Sequence, residues 1–594
     1  MNQTLRSDPP VGPGRSADAP RPVHEMINRT ADVPYVLNLA NDDDRDEIFR
    51  LRHEIYGREL GQYPTNQTGS VRDKLDEANH YITVRRGREI AGFISITPPS
   101  APSFSIDKYF ARAVLPFTFD ERLYEIRLLT VLQPHRGREL AALLMYAAYR
   151  WVEAHGGTRI VGIGRREVMA LYLRSGMQPV GLSTQSGAVT YDLMTAIISR
   201  MREKMTGFSA LLDRLEARTA WQLPFPFRPP ASCFHGGEFF TAIGETFADL
   251  ARRHHIVNAD VLDAWFPPAP GVTRTLQDHL PWLLRTSPPT DCAGLIETIA
   301  TARAVAPENI LPGAGSSDLI FRAFRLWLTA DSHVLILDPT YGEYAHLLEK
   351  VIGCTVDRLI LDPADNFEVN LTRLETAFAA GYDLVALVNP NSPTGQHISR
   401  EQLERVLRTA PLSTRVWVDE TYVEYAGDGQ SLEKFASSSE NVIVCKSMSK
   451  IYALSGLRAA YLCAGAHQLE ALRAITPPWV IGLPAQVAAV RALQDPDYYA
   501  ARYAETAALR DNLVVDLRTL GWTVLPGIAN FLFCLLPANG PDAATVVIRC
   551  RAQNLFLRDA AKMGVRLGPR AIRIAVKDAE TNILMVRIIR EACR

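Results

Sequence analysis

The sequence predicts an α/β protein in two units: a mixed-sheet unit first, then a larger one around a mainly parallel sheet. Three observations carry that expectation. At 594 residues the chain is too long for one ordinary core. Its 47% apolar and 22% charged residues are a globular composition. Beyond residue 235, near-continuous apolar runs alternate with amphipathic helical patterns, as in a sheet covered on both faces. The expected boundaries are a disordered tail over 1–33, a first unit over 34–200, a linker over 201–234 and a second unit over 235–594.

The tail "MNQTLRSDPPVGPGRSADAPRPV" is rich in Pro, Gly and Asp and lacks an apolar signal-peptide core. In the first unit, "DRDEIFRLRHEIYGREL" has helical spacing at Ile48, Phe49, Leu51 and Ile55, with aspartates at its start as caps. "HYITVRRGREIAGFISIT" reads as two strands joined at "RRGRE". A strand "YEIRLLTVL", a turn "QPHRGR" and a helix "ELAALLMYAAYRWVEAHG" follow, the helix closing on glycines. The strand "RIVGIG" and the helix "EVMALYLRSG" complete the unit. "QLPFPFRPPAS" has the proline density of a linker. In the second unit the expected strands are "HVLILD", "YDLVALV", "RVWVD", "NVIVC", "NFLFCLL" and "AIRIAVK".

A formal net charge of −1 provides no global basic field for nucleic acid or an anionic membrane. Eight cysteines, all from residue 233 onward, occur without a CxxC or a Cys/His ligand pair, so neither zinc nor a disulfide framework is indicated. No apolar run reaches the eighteen residues of a membrane span. A reducing, cytoplasmic setting is the expectation.

The unusual polar clusters of the second unit all follow strands: "PGAGSSDLI", "DPTYGEY", "NPNSPTG", "DETYVEY" and "SMSKIYALSGLR". In parallel sheets ligands sit at that edge. Singly, each has a plainer reading: "GAGSS" as a tight turn, "DETY" as a helix cap, "NPNSPTG" as a turn with two prolines. Together they place a phosphate cradle, a carboxylate, two tyrosines, a lysine among hydroxyls and an arginine on one sheet edge. Those parts suit an anionic, aromatic, carbonyl-bearing cofactor.

With these motifs in order, residues 235–594 resemble the fold-type I pyridoxal-5′-phosphate (PLP) enzymes of the class I/II aminotransferases, closest to the histidinol-phosphate aminotransferase group. The resemblance implies a mainly parallel seven-stranded-type sheet, a small C-terminal α/β subdomain and a homodimer. It implies that Lys450 is the Schiff-base lysine and that Arg458, Ser447, Ser449, Gly315, Ser316 and Ser317 hold the cofactor phosphate. Tyr341 would stack on the pyridine ring, Asp419 would pair with its nitrogen, and Tyr422 would bond its phenolic oxygen. Arg573 would receive the substrate carboxylate, with Asn530 nearby. The family's asparagine before "PTG" is Ser392 here, with Asn391 one residue earlier, and both are expected at the cofactor. Lys446 is expected to support the strand end or to face solvent. Arg285, Thr286, Ser287 or Arg558 could read a phosphorylated amine; equally, Arg285 could be a surface arginine. Transamination is the expected reaction, with threonine-phosphate-type decarboxylation as the alternative.

Residues 34–200 resemble the GCN5-related N-acetyltransferases, in the branch of acyl-homoserine lactone and N-acyl amino acid synthases. The motifs are "RLRHEIYGRELG", "DKLDEANHYI" and "HRGRELA". The resemblance places Arg52, Asp73, Asp76, Glu125 and Arg127 at family polar positions. Arg136, Gly137, Arg138 and Ala141 fall at a pyrophosphate loop, and Tyr172 at the position of an acid for the leaving thiolate; a packed helix tyrosine is the other reading. Acyl-CoA or an acyl carrier protein would be the donor. Glu139 replaces a glycine of that loop. A carboxylate roughly 6 Å from a phosphate charge, at an effective dielectric near 20, repels it by about 3 kcal/mol. That is about a hundredfold in affinity, unless Glu139 points away or pairs with an arginine. The chain therefore reads either as a bifunctional enzyme or as a PLP enzyme carrying a non-catalytic binding module. A DNA-binding regulator is disfavoured, since no helix-turn-helix or basic patch is visible.

Overall fold

The structure, a computed structural model, describes residues 35–594 apart from residues 137, 188, 230–232, 234 and 245 and the side chains of residues 138, 203 and 206. The tail expected over 1–33 lies outside the described residues. The chain divides into two compact units at residues 230/231.

The first unit is built on an eight-stranded sheet. In chain order its elements are β1 (Tyr35–Leu39), α1 (Asp42–Arg52), β2 (His80–Arg86), β3 (Glu89–Thr97), β4 (Leu123–Val131), α2 (Arg138–Ala154), β5 (Arg159–Arg165), α3 (Met169–Arg174), β6 (Gln178–Ser186), β7 (Val189–Ile197), α4 (Ile198–Met205), α5 (Ser209–Ala217) and β8 (Thr219–Trp221). The strand order is β6-β7-β5-β4-β3-β2-β1-β8. Asn41, not one of the aspartates after it, caps α1: its side chain accepts from the Asp44 amide at 2.8 Å and Asp44 answers at 3.0 Å. β4 and β5 run parallel but pair only from Leu123/Arg159 to Glu125/Val161. Just beyond, Leu128 takes a positive φ of 56° and interrupts the regular strand. The linker expected from 201 begins too early. Residues 201–221 complete α4, form α5, and return as β8, which pairs in parallel with β1. The apolar faces of these short helices, Met201, Leu212 and Leu215, are buried in the core of the first unit.

The second unit opens with α6 (Phe239–Ile243), β9 (Val257–Asn258), α7 (Pro270–Arg285) and α8 (Ala293–Arg303). Its main sheet then takes β10 (Ile310–Gly313), α9 (Ser316–Trp327), β11 (His333–Asp338), β12 (Thr355–Ile360), β13 (Leu384–Val388), β14 (Arg415–Asp419), β15 (Val442–Ser447) and β16 (Ala460–Cys463). The order is β10-β16-β15-β14-β13-β11-β12. All neighbouring pairs are parallel except those made by β16. Leu335, Leu337, Val385 and Leu387 enter the core on one face, while Val334, Ile336, Leu384 and Ala386 enter the core on the other. This period-two division between two cores is why these strands read as continuous apolar runs. Two expected strands lie elsewhere. They are the central pair of a small antiparallel sheet, β17 (Thr523–Val524), β18 (Phe531–Leu535), β20 (Arg558–Asp559) and β21 (Ala571–Ala575), while β19 (Leu555–Phe556) pairs with β9. Among the described residues no helix is long and apolar enough to cross a membrane, and no group of three or more His, Cys, Asp or Glu is placed to hold a metal.

Candidate active site

The carboxyl ends of the parallel strands bring the predicted residues to one cavity of about 190 Å³. Ser316, Ser317, Tyr341, Ser392, Asp419, Tyr422, Ser447, Ser449, Lys450, Arg458 and Arg573 line it.

One end is a cradle for an anion. Gly315, at φ 93°, turns the chain from β10 into α9 and stands immediately before its first residue, so the N-terminal amides of a 12-residue helix open there. A Cβ at Gly315 would stand 2.6 Å from Arg458 Nη2, so only a glycine lets the guanidinium approach the turn. Arg458 itself takes a left-handed φ of 54° after "SGL" and donates to the Ser455 carbonyl at 3.0 Å. Ser447 ends β15 and caps the next turn, accepting from the Ser449 amide at 3.3 Å.

Asp419 is the last residue of β14 and is buried. Its Oδ1 accepts from the Thr421 amide at 3.0 Å and the Thr421 hydroxyl at 2.6 Å. Its Oδ2 accepts from the Tyr344 hydroxyl at 2.8 Å, and that hydroxyl accepts from Trp417 Nε1 at 2.8 Å. Burial pushes the Asp419 carboxyl up, against these neutral donors and with the Glu343 carboxylate nearby. A carboxyl in such a place is suited to a cationic partner in the cavity, as a protonated ring nitrogen would be. The residues present therefore fit PLP: a phosphate cradle, a carboxylate for the ring nitrogen, an aromatic wall at Tyr341 and an amine at Lys450.

Lys450 Nζ donates to Asp263 Oδ1 at 2.8 Å and to Ser455 Oγ at 3.3 Å. Burial pulls its pKa down, opposed by Asp263. Tyr341 donates to Glu343 Oε2 at 2.7 Å, and Ser317 donates to the same oxygen at 2.8 Å. Burial pushes the Tyr422 hydroxyl up, and its ring stands edge-on to Phe531 at 5.3 Å. Arg573 is buried on β21; it donates to Ser392 Oγ at 3.1 Å and to the Asp260 carbonyl at 3.1 Å. Burial, then the Arg558 charge, pulls Arg573 down to about 10, and its Nε is buried without a partner.

Two expectations are corrected, and two open alternatives are resolved. Asn391 does not line the cavity, because its amide is held by the Pro339 carbonyl at 3.0 Å and Thr394 Oγ1 at 3.1 Å. Ser392 alone of that pair faces in. Asn530 also lies behind the wall, donating to the Leu262 carbonyl at 2.9 Å. Of the phosphorylated-amine candidates only Arg558 lines the cavity; Arg285 is an exposed end of α7. Lys446 neither faces solvent nor stands alone. It is 1% exposed, 2.6 Å from Glu424 Oε1, 3.6 Å from Glu420 and 3.9 Å from Glu433. Arg303 completes that cluster, 3.2 Å from Glu424 and 3.4 Å from Glu433. His235, Gly236 and Thr421 also line the cavity; Thr421 lies within "DETYVEY", while the only mark of the first two is the "HGG" near the start of the second unit.

In the first unit a chain of buried ion pairs ties the predicted polar positions together. Arg52 Nη1 is 2.8 Å from both Asp76 oxygens, its Nη2 is 3.2 Å from Asp73, and Arg127 is 2.6 Å from Asp73. Burial opposes the charge on Asp73, but Arg127 and Arg52 hold it down at about 2. Glu125 is fully buried and accepts from the Ser105 amide, the Ser105 hydroxyl and the Ile106 amide. Arg136 is held by Glu59 at 2.7 Å and the Val131 carbonyl at 3.2 Å. Gly137 and the Arg138 side chain lie outside the described residues. Glu139 is exposed and pairs with Arg218 at 3.2 Å and Arg214 at 3.7 Å. Ala141 lines a cavity of about 920 Å³ between α2, α3, α4 and α5. Tyr172 lines a small cavity of about 30 Å³ beside β4 and β5, and its ring lies where a Cβ on Gly164 would fall, at 2.6 Å.

Fold and donor set are those of a PLP-dependent enzyme of the transaminase class. A family model described as aminotransferase class I and II matches residues 284–588, and the chain belongs to that family. It is 32% identical over 332 residues to histidinol-phosphate aminotransferase 2 of Gluconobacter oxydans (strain 621H), covering 54% of this chain and 89% of that protein. The histidinol-phosphate aminotransferase of Sinorhizobium meliloti, solved with pyridoxal-5′-phosphate, superposes with a TM-score of 0.53 at 24% identity, over 58% of this chain and 94% of that one. The L-threonine-O-3-phosphate decarboxylase of Porphyromonas gingivalis gives 0.50 at 21% identity, over 57% and 99%. At these identities the two structures establish the fold alone. A second family model, N-acyl amino acid synthase FeeM, matches residues 47–196 in the first unit.

Proposed function

We propose that the second unit transfers the amino group of an amino acid or a phosphorylated amine, using PLP carried on Lys450, and that the first unit acylates an amine. The observation that supports the first part most directly is Asp419, a buried carboxyl at a strand end with only neutral donors bonded to it, in the same cavity as Lys450 and Arg458.

When bound, PLP supplies an electron sink for the carbanion formed at the substrate's Cα. The chain supplies the rest. The α9 amides, Ser316, Ser447, Ser449 and Arg458 would bind the phosphate. Asp419 would keep the ring nitrogen protonated: a carboxylate beside a cation moves a pKa by roughly one to three units, about 1.4 kcal/mol per unit. Tyr341 would pack against the ring and Tyr422 would donate to the phenolic oxygen. Arg573 would hold the substrate carboxylate, and Ser392, already bonded to it, would steady the guanidinium. Lys450 Nζ would take the proton from the substrate's Cα, an acid–base step on a pre-positioned bond.

In the first unit, the cavity lined by Ala141, Met145, Leu171, Met201, Leu211 and Leu215 suits an apolar acyl chain. The pairing of Glu139 with Arg214 and Arg218 removes much of the repulsion a donor phosphate would meet there.

Screening amino donors separates the reactions. The keto acid without carbon dioxide supports amino transfer; stoichiometric carbon dioxide release would establish decarboxylation instead. For the first unit, acyl-CoA and acyl carrier protein are each offered with a panel of amines. Neither binding nor transfer with either donor would reduce it to a non-catalytic module.

A further inference from the structure

The segment between β9 and α7 forms one wall of the cavity. Val261 and Leu262 line it, the Asp260 carbonyl accepts from Arg573, and the Leu262 carbonyl accepts from Asn530. The next residue, Asp263, has its Oδ1 2.8 Å from Lys450 Nζ, with the two side chains 36% and 19% exposed. Nothing in the expected site called for a carboxylate there. Three cations, Arg458, Arg573 and Lys577, repel the same amine, and Lys577 and Tyr422 both feel the Asp263 charge. Ser455 Oγ, 3.3 Å from Nζ, is the amine's other bonded partner. An ammonium among three like charges is unfavourable unless an anion is held against it.

Building on the reading of Lys450 as the cofactor-carrying lysine, we propose that Asp263 is a further catalytic residue, the counter-ion that receives the Lys450 ammonium whenever that amine is free. Asp263 exchanges no proton. The proton that Lys450 Nζ takes comes from the substrate's Cα–H bond, whose electron pair stays on the substrate carbon, and the resulting ammonium is stabilised by the carboxylate at 2.8 Å. The contact also fixes where the amine points between its two proton transfers. Its position in the chain, just ahead of α7, means that the second unit's first residues are part of the reacting centre and not only a cover over it.

The test uses the full-length protein freed of PLP. PLP is added back across a pH series and the rate of growth of the visible absorbance of the lysine-bound form is recorded, so no turnover is needed. The neutral amine is the reactive form, so the pH midpoint of that rate reports the Lys450 pKa. Asp263→Asn should lower the midpoint by about one to three pH units, raising the rate at a fixed pH below it about tenfold or more. Asp263→Glu should restore the parent midpoint within a few tenths of a unit. Lys577→Met, which keeps Asp263 and removes a cation, should shift the midpoint the other way. An unchanged midpoint in Asp263→Asn, with the borohydride-reduced adduct still on Lys450, overturns the proposal. A parent protein whose reduced adduct lies on another residue overturns the reading of the site instead, so the two failures are distinguishable.

Discussion

Two helix N-termini in this chain follow the same sequence logic and differ in what their charges do. Before α9, Gly315 leads into two serines, and Arg458 closes on the turn from across the sheet. Before α2, Arg136 is held by Glu59, and Glu139 in the first turn is held by Arg214 and Arg218. The first cradle directs its donors into a cavity; the described charges of the second are matched within the protein. A glycine-rich turn before a helix establishes that backbone amides are open. Whether the neighbouring side chains are available to a ligand is decided by tertiary partners that lie far away in sequence.

The comparison is broken most sharply at Lys450. Lys450→Ala should abolish covalent attachment of PLP and lower amino transfer by about 10²–10⁴ or more, measured by absorbance and by keto-acid formation. It should leave the proposed acyl transfer by the first unit at its parent rate. Asp419→Ala should cost roughly one to three factors of ten in amino transfer, while circular dichroism and the melting transition show a folded protein.

Lys446→Met comes next and tests the neighbouring lysine. It leaves Glu420, Glu424 and Glu433 facing Arg303 alone, and breaking such a buried set costs about 3–5 kcal/mol of stability, read by denaturant unfolding. Any folded fraction should still carry its adduct on Lys450. The same cluster gives a pH prediction. Burial pushes Glu420 up to about 7, above the roughly 4.3 of an unfolded glutamate. A carboxyl whose folded pKa is raised binds its proton more tightly when folded, so this group's contribution to stability falls as pH rises from about 4.3 to about 7. Glu420→Gln should flatten that slope, gaining stability relative to the parent protein as pH rises through the same window.

The smallest effects belong to the second cradle. Glu59→Ala breaks an exposed pair and should change stability by less than about 1 kcal/mol. It also frees Arg136. If the held arginine is what weakens a phosphate-bearing donor, Glu59→Ala should tighten acyl-CoA binding by a few-fold, which isothermal titration would detect.

Much of this site was legible because its parts are local. Asp419 and Ser447 end apolar strands, and Lys450 and Arg458 share one segment with fixed spacing. The strand pattern likewise showed because alternate residues feed two cores. What the sequence could not show depends on non-local packing. Lys446 looked like a strand-end lysine because its partners Glu420, Glu424 and Glu433, and the Arg303 that shares them, come from three other segments. Adjacent Asn391 and Ser392 could not be told apart until the turn was closed by Pro339 and Thr394. The helices α4 and α5 read as the start of a linker because their apolar faces are short and meaningful only against the first sheet. Asp263 sits in "DVLDAWFPPAPGV", which has no motif that points to Lys450.

The central claim is that the cofactor is carried by one particular lysine of the two in "CKSMSK". PLP-loaded protein is reduced with borohydride, digested and mapped by mass spectrometry. The account predicts the reduced pyridoxyl group on Lys450 alone. The group on Lys446, or no covalent adduct on either lysine, would contradict it.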